Sequence, residues 1–308
     1  MRLPRHVYSF IQLADQKTNM FVVTYRKIFY AIAVVLVLGS VVTVFTKGLN
    51  YSIDFKGGTI IEADYAGERP SRESIVTALK PLNLSESVRE TGTNGFLIRS
   101  KAISNEERIT ITNILKGSQI KRFDSIGPVL GKEAARSAFA SIIFVLLVIV
   151  LFIAYAFRHV SEPISSWKYG LVAIVALVHD VIIPVGAFAL LGYEVDTLFV
   201  TALLVILGFS IHDTIVVFDR VRENLKNRRK ETFTEIVGNS ISQTFARSIN
   251  TSLTTLLSLI ALYLYGGAAT HHFSLALIIG ITAGTYSSIF IGSPLLVTIE
   301  KWQNRGKK

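Results

Sequence analysis

Cysteine is absent from all 308 residues of this chain. Disulfide frameworks, thiolate metal centres and thiol nucleophiles are therefore excluded. Histidine is scarce as well. The six copies are His6, His159, His179, His212, His271 and His272, and none sits in an HExxH arrangement. His271-His272 is the one adjacent pair, and two neighbours in a loop are a weak metal signal. No serine occupies a GxSxG elbow. An enzyme is not expected, nor a cofactor or bound metal, and no catalytic residue is assigned. Charge is thin too: Asp, Glu, Lys and Arg make up 18% of the residues, against roughly 25% in an average soluble domain.

Apolar sequence fills the space. Half of the residues are hydrophobic, in runs that reach the about 20 residues needed to cross a bilayer. Six spans are predicted at about Ile28–Thr46, Ala138–Phe157, Gly170–Leu191, Leu198–Phe218, Ser242–Tyr265 and Phe273–Val297. The chain then divides into a cytoplasmic N-terminal segment (1–27), transmembrane helix 1 (28–46), an external α+β domain (47–136), a five-helix transmembrane region (137–299) and a cytoplasmic tail (300–308). The first apolar run follows 27 mostly polar residues and is a full span long, so it is expected to stay as an uncleaved anchor.

The net charge of +10 is placed unevenly. One face collects five Lys/Arg in the N-terminal segment, then Arg158 and Lys168, six more from Arg220 to Lys230, and Lys301, Arg305, Lys307 and Lys308. The short opposite loops, Gly192–Thr197 and Gly266–His272, contain no Lys or Arg. This positive-inside pattern predicts a multi-pass protein of the cytoplasmic (inner) membrane with both termini cytoplasmic and 47–136 on the outer face. The basic loops match lipid headgroups rather than nucleic acid, which is not expected as a partner.

The external segment opens with YSIDFKGGTIIEADY, β-rich sequence interrupted at Lys56-Gly57-Gly58. Asp54, Lys56, Gly57 and Gly58 form its motif. The glycines lack the following helix and the Lys-Ser/Thr of a phosphate loop, so a bulge or close backbone approach is the reading. A helix at about Ser71–Lys80, strands at about Ser87–Glu90 and Phe96–Ser100, a helix at about Asn105–Lys116 and a strand at about Gln119–Asp124 complete a βαββαβ order. That order predicts a ferredoxin-like unit.

Span 4 carries His212 and Asp213 within apolar sequence. A carboxylate there costs at least about 2.5 kcal/mol on the gentlest insertion scale, so it should face helices or water. From a helix end near Asp219 it sits roughly 9 Å into the membrane. Span 5 has a mainly apolar, uncharged part of only 13 residues, Leu253–Tyr265. It must recruit SQTFARSINTS, which brings Arg247 to about the depth of Asp213 and predicts a buried pair. Burial disfavours the charged carboxylate and a nearby Arg favours it, so such a pair could take up and release an ion. A static pair that only locks two helices is the alternative. Asp180 in span 3, with His179 as its local partner, and His212 are secondary ion-coupling candidates. Asp219 beside Arg220 and Arg222 reads as a surface group. Span 6 repeats small residues at Ala276, Gly280, Gly284, Ser288 and Gly292. Gly280, Gly284 and Gly292 are the expected close-packing positions.

The stretches YSIDFKGGT, SIGPVLGKEA, the HD of span 3, GFSIHDTIVVFDRVREN and QTFARSINTSLTT together resemble the SecF family, over nearly the whole chain. SecF is the smaller partner in the SecD–SecF protein-export complex and is related to proton-driven resistance-nodulation-division exporters. The resemblance implies a role in Sec-dependent export driven by the proton motive force. It also implies SecD, the SecYEG channel, SecA, YajC, a preprotein and the lipid bilayer as partners. Asp213 and Arg247 match the family's intramembrane pair, whose complementary Asp comes from SecD. The competing expectations are half of a small-molecule exporter of the same superfamily, which would need a partner to complete its pseudo-symmetry, and a scaffold whose charges only fix register.

Overall fold

The computed structural model of the chain describes residues 20–67, 69–82, 87–158, 163–227 and 231–305. The N-terminal basic residues before 20, and Arg228, Arg229, Lys230, Lys307 and Lys308, lie outside the described residues. In chain order the first elements are α1 (Arg26–Lys47), β1 (Asn50–Tyr51), α2 (Ile53–Lys56), β2 (Gly58–Tyr65) and α3 (Arg72–Leu79). There follow β3 (Ser87–Thr91), β4 (Gly95–Ser100), α4 (Asn105–Ile114), β5 (Ser118–Ile126), α5 (Pro128–Ala156) and α6 (Ser166–Leu191). The last are β6 (Glu194–Val195), α7 (Thr197–Asn227), α8 (Phe233–Tyr265), α9 (Ala268–Ser287), a π-helical turn (Ser288–Gly292) and α10 (Ser293–Arg305). The chain separates into two compact units.

One unit spans Asn50–Ser141 together with Glu194–Thr197. Its four-stranded sheet is antiparallel throughout, in the order β3-β4-β2-β5. Alternation on β2 and β4 sends Ile61, Ala63, Phe96 and Ile98 inward, where Ile75 and Leu79 of α3 and Ile111 beside Leu115 of α4 cover them. Burying each of these side chains contributes about 1.5–3 kcal/mol. Both helices are punctuated by their sequence. Ser71 caps α3, and Ser104 with Glu107 forms a reciprocal capping box on α4. A second, two-stranded sheet pairs β1 with β6 in parallel. The periodicity of the sequence gives no hint of that pairing, because two residues are too few to carry a pattern.

The other unit holds residues 20–49, 142–193 and 198–305. Six candidate membrane spans are found among the described residues: α1, α5, α6, α7, α8, and a last span of Thr270–Asn304 built from α9, the π turn and α10. Half or more of the apolar window is buried in α6, α7 and the last span. Phe157, Tyr169 and Phe218 lock α6 and α7 to the segment after α5, with Phe157 and Tyr169 stacked at 5.2 Å. Helix α8 begins nine residues before the expected Ser242. Thr232 and Glu235 box its start, and the helix runs 33 residues, about 50 Å.

Small residues set the close crossings. A Cβ at Gly280 would overlap the side chain of Ile206, and one at Gly284 would lie 3.1 Å from Ser210 Cβ. Gly292 is looser: a Cβ there would lie 3.9 Å from Thr214 Cγ2 on α7, an ordinary van der Waals contact. The tightest approach to another helix's backbone is at a position the small-residue ladder does not include. A Cβ at Gly186 of α6 would sit 2.5 Å from Ser40 Cα of α1.

Candidate functional site

Two carboxylates are buried in the transmembrane unit. Asp180 is fully enclosed on α6. Its Oδ1 meets His179 Nδ1 at 2.8 Å, while its Oδ2 accepts hydrogen bonds from Ser210 of α7 and from Ser287 at 2.8 Å. Asp180 thus ties three helices together, and His179 is its local partner as the adjacency in sequence suggested. The His179 ring also stacks on Tyr286 at 6.0 Å.

Asp213 lies on the inward face of α7, where the Ser248 hydroxyl donates to its Oδ1 at 2.5 Å. Its Oδ2 is buried and has no hydrogen-bond partner among the described residues. The expected Asp213–Arg247 ion pair does not form within 4.0 Å among the described residues; Arg247 is exposed. Helix phase explains this. Neighbouring residues are about 100° apart, so with Ser248 turned to Asp213, Arg247 turns outward, still in electrostatic reach of the carboxylate. His212 is likewise exposed, one position from Asp213. Asp219 pairs with Arg222 at 2.5 Å on an exposed stretch of α7.

Hydroxyls connect the two carboxylate neighbourhoods. Ser287 serves Asp180, and the next residue, Ser288, meets Thr214 Oγ1 at 3.0 Å, beside Asp213. Ser288 opens the π turn, and single π turns inside α-helices are frequent at functional sites. A hydroxyl both donates and accepts, so this lining can adapt to either protonation state of a carboxylate. Sequence reasoning singled out Asp180 and Asp213 but not Ser210 or Ser287. Their signal was faint: single serines at matching depth in apolar helices, indistinguishable from packing residues.

The outward faces of α7 and α8 are polar where lipid would require apolar groups. Arg247, Asn250, Thr251, Thr254 and Ser258 are all exposed along one stripe of α8. On α7, Gly208 and His212 are exposed, and a Cβ at Gly208 would meet nothing within 4 Å.

The Asp54–Gly58 motif splits by role. Asp54 Oδ2 accepts from Thr197 N at 3.0 Å and from Thr197 Oγ1 at 2.9 Å, at the first residue of α7. Gly57 has φ +73° and Gly58 φ +132°. A Cβ on Gly57 would fall 2.7 Å from Pro128 Cα, and one on Gly58 2.8 Å from Ser100 O. Close backbone approach is therefore what the glycines permit; the bulge in β2 lies at Glu62/Ala63 instead. Lys56 stands 5.8 Å from the Tyr51 ring centre.

Residues 108–302 match the family described as protein export membrane protein SecD/SecF, C-terminal, and residues 42–66 match the SecD/SecF GG motif. The protein translocase subunit SecF of Thermobaculum terrenum is 40% identical over 306 residues, covering 92% of this chain and 94% of that one. The chain belongs to the SecF family. The protein translocase subunit SecDF of Thermus thermophilus is 37% identical and covers 90% of this SecF-family chain, which spans 38% of its length. The crystal structure of SecDF, a translocon-associated membrane protein from the same organism, superimposes with a TM-score of 0.78 at 35% identity. It covers 92% of this chain, and this chain covers 38% of it. The GG-motif match contains the Asp54–Gly58 segment. The longer match contains Asp180, Asp213, Arg247 and Ser287.

Proposed function

We propose that this chain is the SecF-type half of a SecD–SecF complex that assists Sec-dependent export of preproteins across the cytoplasmic membrane, and that it draws on the proton motive force. The observation that carries the reading is the pair of buried carboxylates beside a polar stripe left uncovered. Exposed Arg247 and Asn250 in a membrane-spanning helix cannot face hydrocarbon without a large cost. A second subunit must cover them. The SecDF names among the relatives support SecD as that subunit. A carboxylate from SecD facing Arg247 would complete the site at the subunit boundary, with Asp213 on the other side.

In this reading a proton enters from the outer side, passes Asp180 and the hydroxyl lining, is held at Asp213 and leaves toward the cytoplasm. A proton crossing about 100 mV releases about 2.3 kcal/mol, enough to shift a helix equilibrium almost fiftyfold. Both termini are cytoplasmic, and the domain of residues 47–136, read as ferredoxin-like from its strand order, faces outward beside SecYEG. SecA begins the translocation that this complex continues, with YajC as a further neighbour. The chain acts by binding and movement, not as an enzyme.

The test is potential-stimulated secretion of a reporter preprotein in cells carrying Asp213→Asn, with assembly with SecD followed in parallel. Stimulation is expected to vanish while assembly persists. Normal stimulation would reduce Asp213 to a packing residue and end the ion-coupling reading.

A further inference from the structure

We propose that the Ser52–Gly58 segment is a mechanical coupler that fastens the external sheet to the first turns of α5 and α7, with Asp54 as the positioning residue on α7. The proposal rests on the ion-coupling reading for what the motion is used for, but not for the attachment itself. All the contacts that follow lie within one compact unit.

On the α7 side, Asp54 caps a helix 143 residues away in sequence. Its carboxylate takes both the main-chain N–H and the hydroxyl of Thr197, the position where an acceptor satisfies an orphan donor and favours the helix dipole. Asp54 is itself held in place, because its own N–H donates to Ser52 Oγ at 3.0 Å. Ser52 N in turn donates to Val195 O at 3.0 Å, extending the β1–β6 pairing. An ion pair between Arg99 of β4 and Glu194 adds a second tie from the main sheet to the same loop. On the α5 side, the first turn approaches backbone to backbone. A Cβ at Gly131 would lie 2.7 Å from Gly57 N and 3.1 Å from Phe55 O. Seven residues thus grip the starts of two membrane helices.

The consequence follows from helix continuity. Helix α7 runs unbroken from Thr197 through Asp213, about 24 Å on. A displacement of the external sheet along that axis is delivered to the carboxylate, and a shift of the carboxylate's helix is delivered outward.

The test uses the full chain assembled with its SecD partner in membranes. Asp54→Ala should speed deuterium exchange in the first turn of α7 about tenfold and abolish potential-stimulated export. Because the chain has no cysteine, Tyr51→Cys with Val195→Cys can replace the lost tie covalently; paired strands about 4.8 Å apart fall within disulfide reach. Added to Asp54→Ala, the oxidised pair should restore export, and reductant should remove it again. Asp54→Asn, which keeps an acceptor oxygen, should give the same pattern at about threefold, and serves if the alanine variant fails to assemble. Unchanged exchange in Asp54→Ala, normal export despite faster exchange, or no rescue by the oxidised pair would each overturn the proposal. If Asp213→Asn exports normally while Asp54→Ala fails and is rescued, the ion-coupling reading falls and the coupler stands.

Discussion

Gly48 and Gly57 provide a matched pair for measuring what the backbone contact of the Asp54–Gly58 motif is worth. Their conformations are nearly the same, φ 72° with ψ 176° at Gly48 and φ 73° with ψ 167° at Gly57. This region is essentially restricted to glycine and costs another residue about 1–3 kcal/mol. Their surroundings differ. A Cβ at Gly48 meets nothing within 4 Å, whereas at Gly57 it lies 2.7 Å from Pro128 Cα and 2.9 Å from Pro128 N. Both neighbours are backbone, so the start of α5 must move rather than a side-chain tip. Overpacking of this kind adds about 1–3 kcal/mol. Gly57→Ala should therefore open the β2–β5 pairing at least fivefold more often than Gly48→Ala does, since 1.36 kcal/mol is a factor of ten. Deuterium exchange across Gly58–Tyr65 in lipid nanodiscs reads this ratio. Equal rates in the two variants would show that the conformation alone matters and that the contact with Pro128 yields at no cost.

Further outcomes follow from other contacts. Gly186→Ala, which drives a Cβ to within 2.5 Å of Ser40 Cα, should lower the unfolding midpoint in detergent and resist rescue by Ser40→Gly. Gly280→Ala strikes only the side chain of Ile206 and should be restored by Ile206→Ala; rescue of both, or of neither, would refute the distinction. Asp180→Leu leaves His179 and Ser210 without their carboxylate, at about 1–3 kcal/mol for each group stranded, while Asp180→Asn should cost less than half as much in the same assay. In the sheet-bearing unit, the Ser104 main-chain N–H donating to Glu107 at 2.7 Å holds that carboxyl below its ordinary value of 4.5. A depressed pKa gives stabilisation that is present above the ordinary value and lost as pH falls through the folded one. Protection at the start of α4, taken relative to the intrinsic exchange rate at each pH, should therefore fall on acidification in the natural chain but stay flat in Glu107→Gln, and parallel profiles would refute it.

Much of this protein is written locally. The six spans follow from uninterrupted apolar length, which no other solvent would tolerate. The βαββαβ order around the four-stranded sheet follows from short alternating runs punctuated by Ser71, Ser104 and glycine turns. The need for buried company around Asp213 follows from the cost of a carboxylate in hydrocarbon, and the short apolar part of span 5 put Arg247 at a similar depth. What depth could not supply was azimuth. Whether Ser248 or Arg247 meets Asp213 turns on about 100° of helix rotation, which is fixed by the packing of α8 on its neighbours. Tertiary structure also decided every contact made across long sequence separations: Ser210 and Ser287 on Asp180, Gly186 against Ser40, and Asp54 at the head of α7. Each uses a common residue whose local sequence looks ordinary. Only the meeting of two distant backbones gives it a partner.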